Sequence, residues 1–173
     1  LLITQQCREE DLSRVVAIYK TAKQKSDIKT FFDDISEKIK NSHLVISRSG
    51  ASTVAELSVI GRPAILIPYQ FAIDNHQKIN ADAMVKSGGA WSFDESNLQP
   101  KALANFLEEI LTDHEKLRSA AHASRNFGTP KSSEVLADLI SQITKTNISE
   151  LKSKFKQANT AQKLGGDYEK TPN

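Results

Sequence analysis

The sequence predicts an α/β domain with a doubly wound parallel sheet of about five strands and a helical C-terminal cap. Two near-continuous apolar runs, His43–Ser47 and Pro63–Pro68, are typical of strands that a parallel sheet buries on both faces. Segments with helical spacing of about 8–14 residues separate the short apolar runs, as right-handed βαβ units require. The chain has 173 residues, which suits one ordinary domain.

The first part of the chain gives two strands and two helices. Leu1–Gln5 is a short apolar run, and a helix over Glu9–Ala22 follows because four apolar residues fall on one face: Leu12, Val15, Val16 and Tyr19. The second apolar run, Ile28–Phe32, precedes DDISEKIKNS, whose two aspartates suit a helix start. The buried run His43–Ser47 is the third strand.

Gly61 and the pair Gly88–Gly89 end the next two helices, Thr53–Ile60 and Asn75–Lys86. The strand Pro63–Pro68 lies between these helices, and Ala90–Phe93 is the fifth strand. Thr129 is placed as an N-cap before Pro130 at the first position of the last helix. After the fifth strand the pattern predicts helices only: Pro100–Leu111, His114–Ser124 and Pro130–Ile143.

Composition divides the chain at residue 145 and excludes several classes of function. Residues 146–173 hold five lysines against three acidic residues, so the body, residues 1–145, has 18 basic and 18 acidic residues. A neutral body argues against nucleic-acid binding through bulk charge, and the polar tail reads as a helix extension that becomes disordered. One cysteine, Cys7, excludes an internal disulfide and a cysteine-based zinc site. No apolar run approaches the roughly 20 residues that span a bilayer.

Two strand-to-helix loops carry the candidate chemistry. In the first, SRSGASTVAE (Ser47–Glu56), small residues around Gly50 allow close approach of the backbone, and a helix N-terminus suits a phosphate. Glu56, one turn into that helix, can accept hydrogen bonds from sugar hydroxyls. Arg48 could pair with a phosphate or anchor the loop. A plain strand–helix turn with Ser and Thr caps fits the same spacing.

The second loop, Tyr69–Asn80, is rich in amides, which both donate and accept hydrogen bonds and so suit a polyhydroxylated ligand. Gln77 and Asn80 share a helix face. With Asp74 as an ordinary N-cap, the same amides could simply be solvated. His76 has no second ligand at metal-binding spacing, so a lone surface histidine is favoured over a metal ligand or base. The first 49 residues contain no glycine, which excludes an opening GxGxxG or Walker loop.

Taken together, SRSGASTVAEL, GRPAILIPYQFAIDNHQKINA and KSGGAW resemble the donor-sugar half of the MurG family. Members of this family are UDP-N-acetylglucosamine:N-acetylmuramyl-(pentapeptide) pyrophosphoryl-undecaprenol N-acetylglucosamine transferases. The resemblance covers roughly residues 1–145. It implies the C-terminal, Rossmann-like half of a GT-B glycosyltransferase, with the glycine-rich loop that opens this half and the acceptor-binding N-terminal domain both missing.

The resemblance also implies a donor site for UDP-GlcNAc. On the family pattern Phe32 meets uracil through its backbone, the start of the helix after the first loop contacts phosphate and sugar, and Glu56 takes the ribose hydroxyls. Gln77 and Asn80 would read the GlcNAc hydroxyls, whereas His76 stands where relatives carry Gln. The implied donor-binding residues are Phe32, Ala51, Ser52, Thr53, Val54, Glu56, Gln77 and Asn80, with Arg48, Ser49, Gly50 and His76 as further candidates.

As function, the resemblance implies an inverting hexosyltransferase of peptidoglycan synthesis, and hence a role in cell-wall biogenesis, cell shape and cell division. GlcNAc would pass from UDP-GlcNAc to the 4-hydroxyl of the lipid-linked MurNAc-pentapeptide, at the cytoplasmic face of the bacterial inner membrane. The acceptor and the catalytic base would belong to the missing domain, so the chain alone would be inactive and soluble. No cofactor, metal or nucleic acid is expected. The alternatives are another GT-B transferase or epimerase, a non-catalytic UDP-sugar-binding module, and half of a split enzyme.

Overall fold

A computed structural model describes residues 1–144 of the chain. The fold divides into two compact units, Leu1–Thr129 and a second that begins at Pro130. The described part of the second unit holds one helix, α7, over residues 132–144. The predicted boundary between residues 145 and 146, and the predicted tail, lie outside the described residues.

Strands and helices alternate through most of the first unit, as the sequence predicts. A short 3-10 turn precedes the fourth helix, and another follows the fifth strand. The elements are β1 (Ile3–Gln6), α1 (Glu9–Thr21), β2 (Ser26–Lys29), α2 (Ile35–Asn41), β3 (Val45–Ser47), α3 (Ala51–Ile60), β4 (Ala64–Leu66), α4 (His76–Lys86), β5 (Ala90–Ser92), α5 (Pro100–Thr112) and α6 (His114–Phe127).

The five strands form two parallel sheets, where the sequence predicted one. β1 pairs with β2, and β4 pairs with β3 on one side and β5 on the other. In the larger sheet Ser47 is opposite Leu66, and Leu66 is opposite Ser92. All three strands therefore end at the same edge, and the loops that follow them are neighbours.

Burial differs between the two apolar runs that predicted the sheet. All three residues of β4 are buried because this strand has a partner on each side. β3 was predicted to be buried on both faces, but Ile46 is 46% exposed. Val45 and Ser47 are half-buried on the opposite face, so the face of β3 that carries Ile46 is the less covered one.

The core of the first unit lies between the larger sheet and the helices α3 and α4. Leu57 and Met84 are fully buried in a cluster with Leu66 of β4. Helix α6 closes on the same region through Ser124, which is fully buried and whose hydroxyl donates to the carbonyl oxygen of Arg62 at 2.9 Å. The core therefore fixes the helices whose N-termini carry the candidate site.

Two predicted helix starts are shifted. α3 begins at Ala51, two residues before Thr53, because Val54 N–H donates to the carbonyl oxygen of Gly50 and closes the first turn there. α7 begins at residue 132, after a turn that includes Pro130, and the N–H of Val135 donates to the carbonyl oxygen of Lys131. Thr129 is therefore not the N-cap of that helix.

Within residues 1–144, every helix is too short or too polar to cross a membrane.

Candidate functional site

The first candidate loop leads directly into α3, whose N-terminus lacks a side-chain cap. Gly50 occupies the N-cap position, and no side chain accepts a hydrogen bond from the first turn. Ala51 and Ser52 are exposed there, and Thr53 is half-buried. The unpaired N–H groups of an uncapped first turn, together with the helix dipole, favour an anionic ligand. The alternative interpretation, in which Ser and Thr cap this helix, is wrong because Gly50 takes that position.

Val54 differs from the other residues predicted in this loop. Its side chain is buried in the core cluster, and its N–H donates to the carbonyl oxygen of Gly50 at 3.0 Å. Val54 therefore holds the start of α3 in place and has neither an exposed side chain nor an unpaired N–H to offer a ligand.

Glu56 lies one turn into α3 and is half-buried. Its carboxylate accepts a hydrogen bond of 2.6 Å from the hydroxyl of Ser36 in α2. This bond brings the start of α2, and with it the loop that contains Phe32, to the side of α3. The side chain of Phe32 is only 2% exposed, and the ammonium groups of Lys29 and Lys38 lie 5.3 and 5.5 Å from its ring centre. Phe32 is thus buried as a whole residue and offers a ligand little surface.

Ser49 joins the two candidate loops. Its side chain is fully buried, and its hydroxyl donates to the carbonyl oxygen of Gln77 at 2.8 Å. Its own carbonyl oxygen accepts a hydrogen bond of 3.1 Å from Nδ2 of Asn80. These two bonds place the first turn of α4 beside the loop that enters α3. Gln77 and Asn80, predicted from the sequence as a pair, therefore lie next to Gly50 and the start of α3.

The turn before α4 has an unusual backbone. Asp74 and Asn75 are consecutive residues with positive φ angles of 53° and 54°. Asn75, not Asp74, is the N-cap residue, and no side chain caps the helix. Asp and Asn are the residues other than glycine that adopt left-handed backbone most readily, so the local sequence suits this turn. His76 then begins α4 with an exposed side chain.

Comparison with known proteins shows the family of the chain. A family model described as "Glycosyltransferase family 28 C-terminal domain" matches residues 1–143. The chain belongs to that family. The predicted fold class is confirmed with it, because the match covers both candidate loops and nearly all of the described residues.

Curated relatives of this family 28 domain include proteins named "UDP-N-acetylglucosamine--N-acetylmuramyl-(pentapeptide) pyrophosphoryl-undecaprenol N-acetylglucosamine transferase". A relative from Rhodospirillum rubrum is 43% identical over 154 residues, which are 89% of this chain and 40% of the relative. Another, from Allorhizobium ampelinum, is 46% identical over 83% of this chain and 38% of the relative. The family 28 domain thus spans about two fifths of the length of these relatives.

Solved structures give the same fold. The crystal structure of Acinetobacter baumannii MurG superimposes with a TM-score of 0.75 at 28% identity, over 82% of this chain and 41% of the other. The glycotransferase of kitacinnamycin matches 82% of this chain and 42% of its own, with a TM-score of 0.55 at 15% identity. At 15% identity, the similarity to the kitacinnamycin enzyme shows the fold alone. Both agree with a Rossmann-like domain of the GT-B type.

The family 28 domain also contains an ion pair that the sequence analysis missed. Arg48, which follows β3, binds both carboxylate oxygens of Glu95, which follows β5; Nη1 lies 2.8 Å from Oε2. Sequence reasoning named Arg48 as a phosphate ligand or a loop anchor, and the structure places it as an anchor. Glu95 could have been predicted as a partner of Arg48 from its position, because it follows the fifth strand at the sheet edge where Arg48 also lies.

The Arg48–Glu95 pair gives a prediction for pH. The hydrogen bonds from Arg48 are the largest cause that lowers the pKa of Glu95 below its ordinary value of 4.5. The pair therefore stabilises the fold fully above that ordinary value, and the stabilisation is lost as the pH falls through the lowered pKa. We expect the carboxyl carbon of Glu95 to titrate below 4.5 by NMR and to return towards it in Arg48→Gln. An unchanged midpoint in the variant would contradict the pairing.

One surface groove, of about 610 Å³, is open and is lined at the ends of α4 and α6 by residues that include Ser87, His122 and Phe127. None of the predicted site residues lines it. Among residues 1–144 there is also no group of three or more metal-binding side chains. The loops after β3 and β4 are therefore the candidate site.

Proposed function

We propose that this chain binds UDP-N-acetylglucosamine as the donor half of an N-acetylglucosaminyltransferase of peptidoglycan synthesis. The observation that carries the proposal is the hydrogen-bonded junction of the two loops at Ser49, in a chain whose relatives are named for that activity. The junction places an uncapped helix N-terminus beside two amides, which suits the diphosphate and the sugar of a nucleotide sugar. The carboxylate of Glu56 lies one turn further along α3 and suits the ribose.

Each part of the donor has a chemical counterpart. The first turn of α3, Ala51–Thr53 after Gly50, would bind the diphosphate through main-chain N–H groups. Glu56 would accept hydrogen bonds from the ribose hydroxyls, and the backbone at Phe32 would contact uracil. Gln77 and Asn80 would meet the GlcNAc hydroxyls. His76 and Asn75 lie at the entrance to α4, where they would border the sugar.

The proposed reaction is an inverting transfer. The acceptor's 4-hydroxyl attacks the anomeric carbon of GlcNAc, the bond to the diphosphate breaks, and UDP leaves. N–H groups at the start of α3 would stabilise the charge that develops on the leaving diphosphate, as an oxyanion hole does. On this proposal the base and the acceptor site belong to the part of the relatives that this chain does not span. Because the acceptor named for the relatives carries undecaprenol, transfer would take place at a membrane surface and serve cell-wall growth, and through it cell shape and division.

Calorimetric titration tests donor binding directly. We expect the chain to bind UDP-N-acetylglucosamine and UDP, and to bind UDP-galactose and ADP more weakly. Glu56→Ala should weaken binding of both uridine ligands by about tenfold or more, since a hydrogen bond to a charged group is worth about 1.5–3 kcal/mol. Gln77→Ala should weaken UDP-N-acetylglucosamine and leave UDP unchanged.

A control variant separates the site from general effects of lost charge. Glu115 lies on α6, and its side chain is 76% exposed. Among residues 1–144 its only ion pair is with its helix neighbour Arg118, at 2.6 Å. Glu115→Ala should bind both uridine ligands like the unchanged chain. If the folded chain bound no uridine ligand, the proposed donor function would be wrong; preference for another UDP-sugar would point to a different transferase.

A further inference from the structure

We propose that Glu95 is a positioning residue for the sugar end of the donor site, acting through Arg48 and the loop after β4 on the amide of Gln77. This inference rests on the proposed function, because it takes Gln77 as a residue that meets the sugar. Glu95 follows β5 and lies in neither of the two loops that carry the donor-binding residues. Its effect on the donor would therefore be indirect.

The first step is the contact between Arg48 and the loop after β4. Nη1 of Arg48 donates to the carbonyl oxygens of Ile67 and Pro68, at 3.2 and 3.4 Å. The guanidinium carbon also lies 5.6 Å from the ring centre of Tyr69. Arg48 thus contacts three consecutive residues at the point where the chain leaves β4.

The second step is the role of Glu95 in holding that guanidinium. The side chain of Arg48 is 46% exposed, so its contacts with two carbonyl oxygens are not enforced by burial. A bidentate carboxylate fixes the plane of a guanidinium, which a single hydrogen bond does not. The main chain of Gln70 also lies close enough to the carboxylate of Glu95 to help lower its pKa. Glu95 therefore acts on the loop chiefly through Arg48.

The third step leads from the loop to the sugar. The N–H of Tyr69 donates to Oε1 of Gln77 at 2.9 Å. This bond fixes which way the amide faces, so that its nitrogen is the end that would donate to a sugar hydroxyl. Tyr69 directly follows Pro68, whose carbonyl oxygen Arg48 binds. A loop released by Glu95 would therefore misorient Gln77 while leaving Glu56 and the start of α3 in place.

The test is titration of Glu95→Gln with UDP-N-acetylglucosamine and with UDP. Glutamine keeps the size of the side chain but cannot form the bidentate ion pair. We expect the Kd for UDP-N-acetylglucosamine to rise about fivefold and the Kd for UDP to change less than about twofold. Glu115→Gln, on an exposed ion pair of α6, is the matched control and should alter neither Kd.

A double variant separates positioning from a general loss of structure. In the background of Gln77→Ala, Glu95→Gln should no longer change the Kd for UDP-N-acetylglucosamine, because the residue through which it acts is absent. Equal weakening of both ligands, no weakening of either, or an effect that persists without the Gln77 side chain would each overturn the proposal.

Amide hydrogen exchange tests the positioning role of Glu95 without a ligand. The N–H groups of Tyr69 and Gln70 should exchange at least about tenfold faster in Glu95→Gln, whereas N–H groups in the core of α3 should be unchanged. If the unchanged chain bound neither uridine ligand, the proposed function would fail, and faster exchange at Tyr69 would still support the control of this loop by Glu95. Unchanged exchange at Tyr69 and Gln70 would overturn the positioning role whatever the binding result.

Discussion

Replacing Leu57 by alanine is expected to lower the free energy of unfolding by about 3 kcal/mol. Leu57 is fully buried in α3, in the cluster that includes Leu66 and Met84. Truncation removes its contacts with β4 and α4 at once and leaves a cavity that a close-packed core cannot fully close. Urea unfolding followed by circular dichroism measures the change, with the slope of the transition expected to stay constant.

Val59 supplies a control for Leu57 on the same helix. Its side chain is 41% exposed, so Val59→Ala should cost less than about 1 kcal/mol. Leu57→Met keeps most of the volume and should cost less than about 1.5 kcal/mol, which retains a measurable protein if the alanine variant does not fold. Equal losses for Leu57→Ala and Val59→Ala would mean that the core is not centred on α3.

The second large effect is expected for Gly89→Ala, at about 2–3 kcal/mol of lost stability. A Cβ atom on Gly89 would lie 2.7 Å from Cα and 2.8 Å from the backbone nitrogen of Ser124. These are main-chain atoms of α6, so relief requires movement of the whole helix away from the turn before β5. Thermal and urea unfolding should both register the loss.

Two further variants test the cause of that loss. Gly50→Ala serves as the control because its Cβ would meet only the Thr53 hydroxyl oxygen, at 3.8 Å, and it should change stability by less than about 0.5 kcal/mol. Adding Ser124→Gly to Gly89→Ala should not restore stability, because the closest contacts involve backbone atoms. Full rescue by the glycine would show that the Ser124 side chain, and not the helix backbone, is the obstacle.

Local patterns predicted most of the elements of the fold. Apolar runs gave the strands, helical spacing gave the helices, and Gly61 marks the end of α3 with a positive φ of 79°. The division into two sheets could not be predicted in this way, because strand pairing depends on which backbone edges meet and not on the composition of each strand. The exposure of Ile46 could not be predicted either, because it depends on which elements cover that face of the sheet.

In the candidate site, too, residues whose role depends on nearby sequence could be predicted, and residues whose role depends on distant contacts could not. Glu56, Gln77 and Asn80 could be predicted as candidates because they lie within the first two turns of helices that follow strands. Glu95 was missed because it lies 47 residues from Arg48 in the sequence, and nothing in its neighbourhood distinguishes it from other surface acids. Burial of Ser49 was missed because a serine in a polar loop is ordinarily exposed.

The junction at Ser49 has a consequence for attempts to change the ligand preference of this domain by loop exchange. Asn80 is held by the main-chain oxygen of Ser49, so its position depends on the path of the backbone and not on the side chain at residue 49. Gln77 in turn is tied to Ser49 and to Tyr69. Grafting the segment 69–80 alone from a relative would separate it from the partners that shape it. A loop exchange that is meant to change ligand preference should therefore replace residues 48–50, 67–80 and 93–97 together.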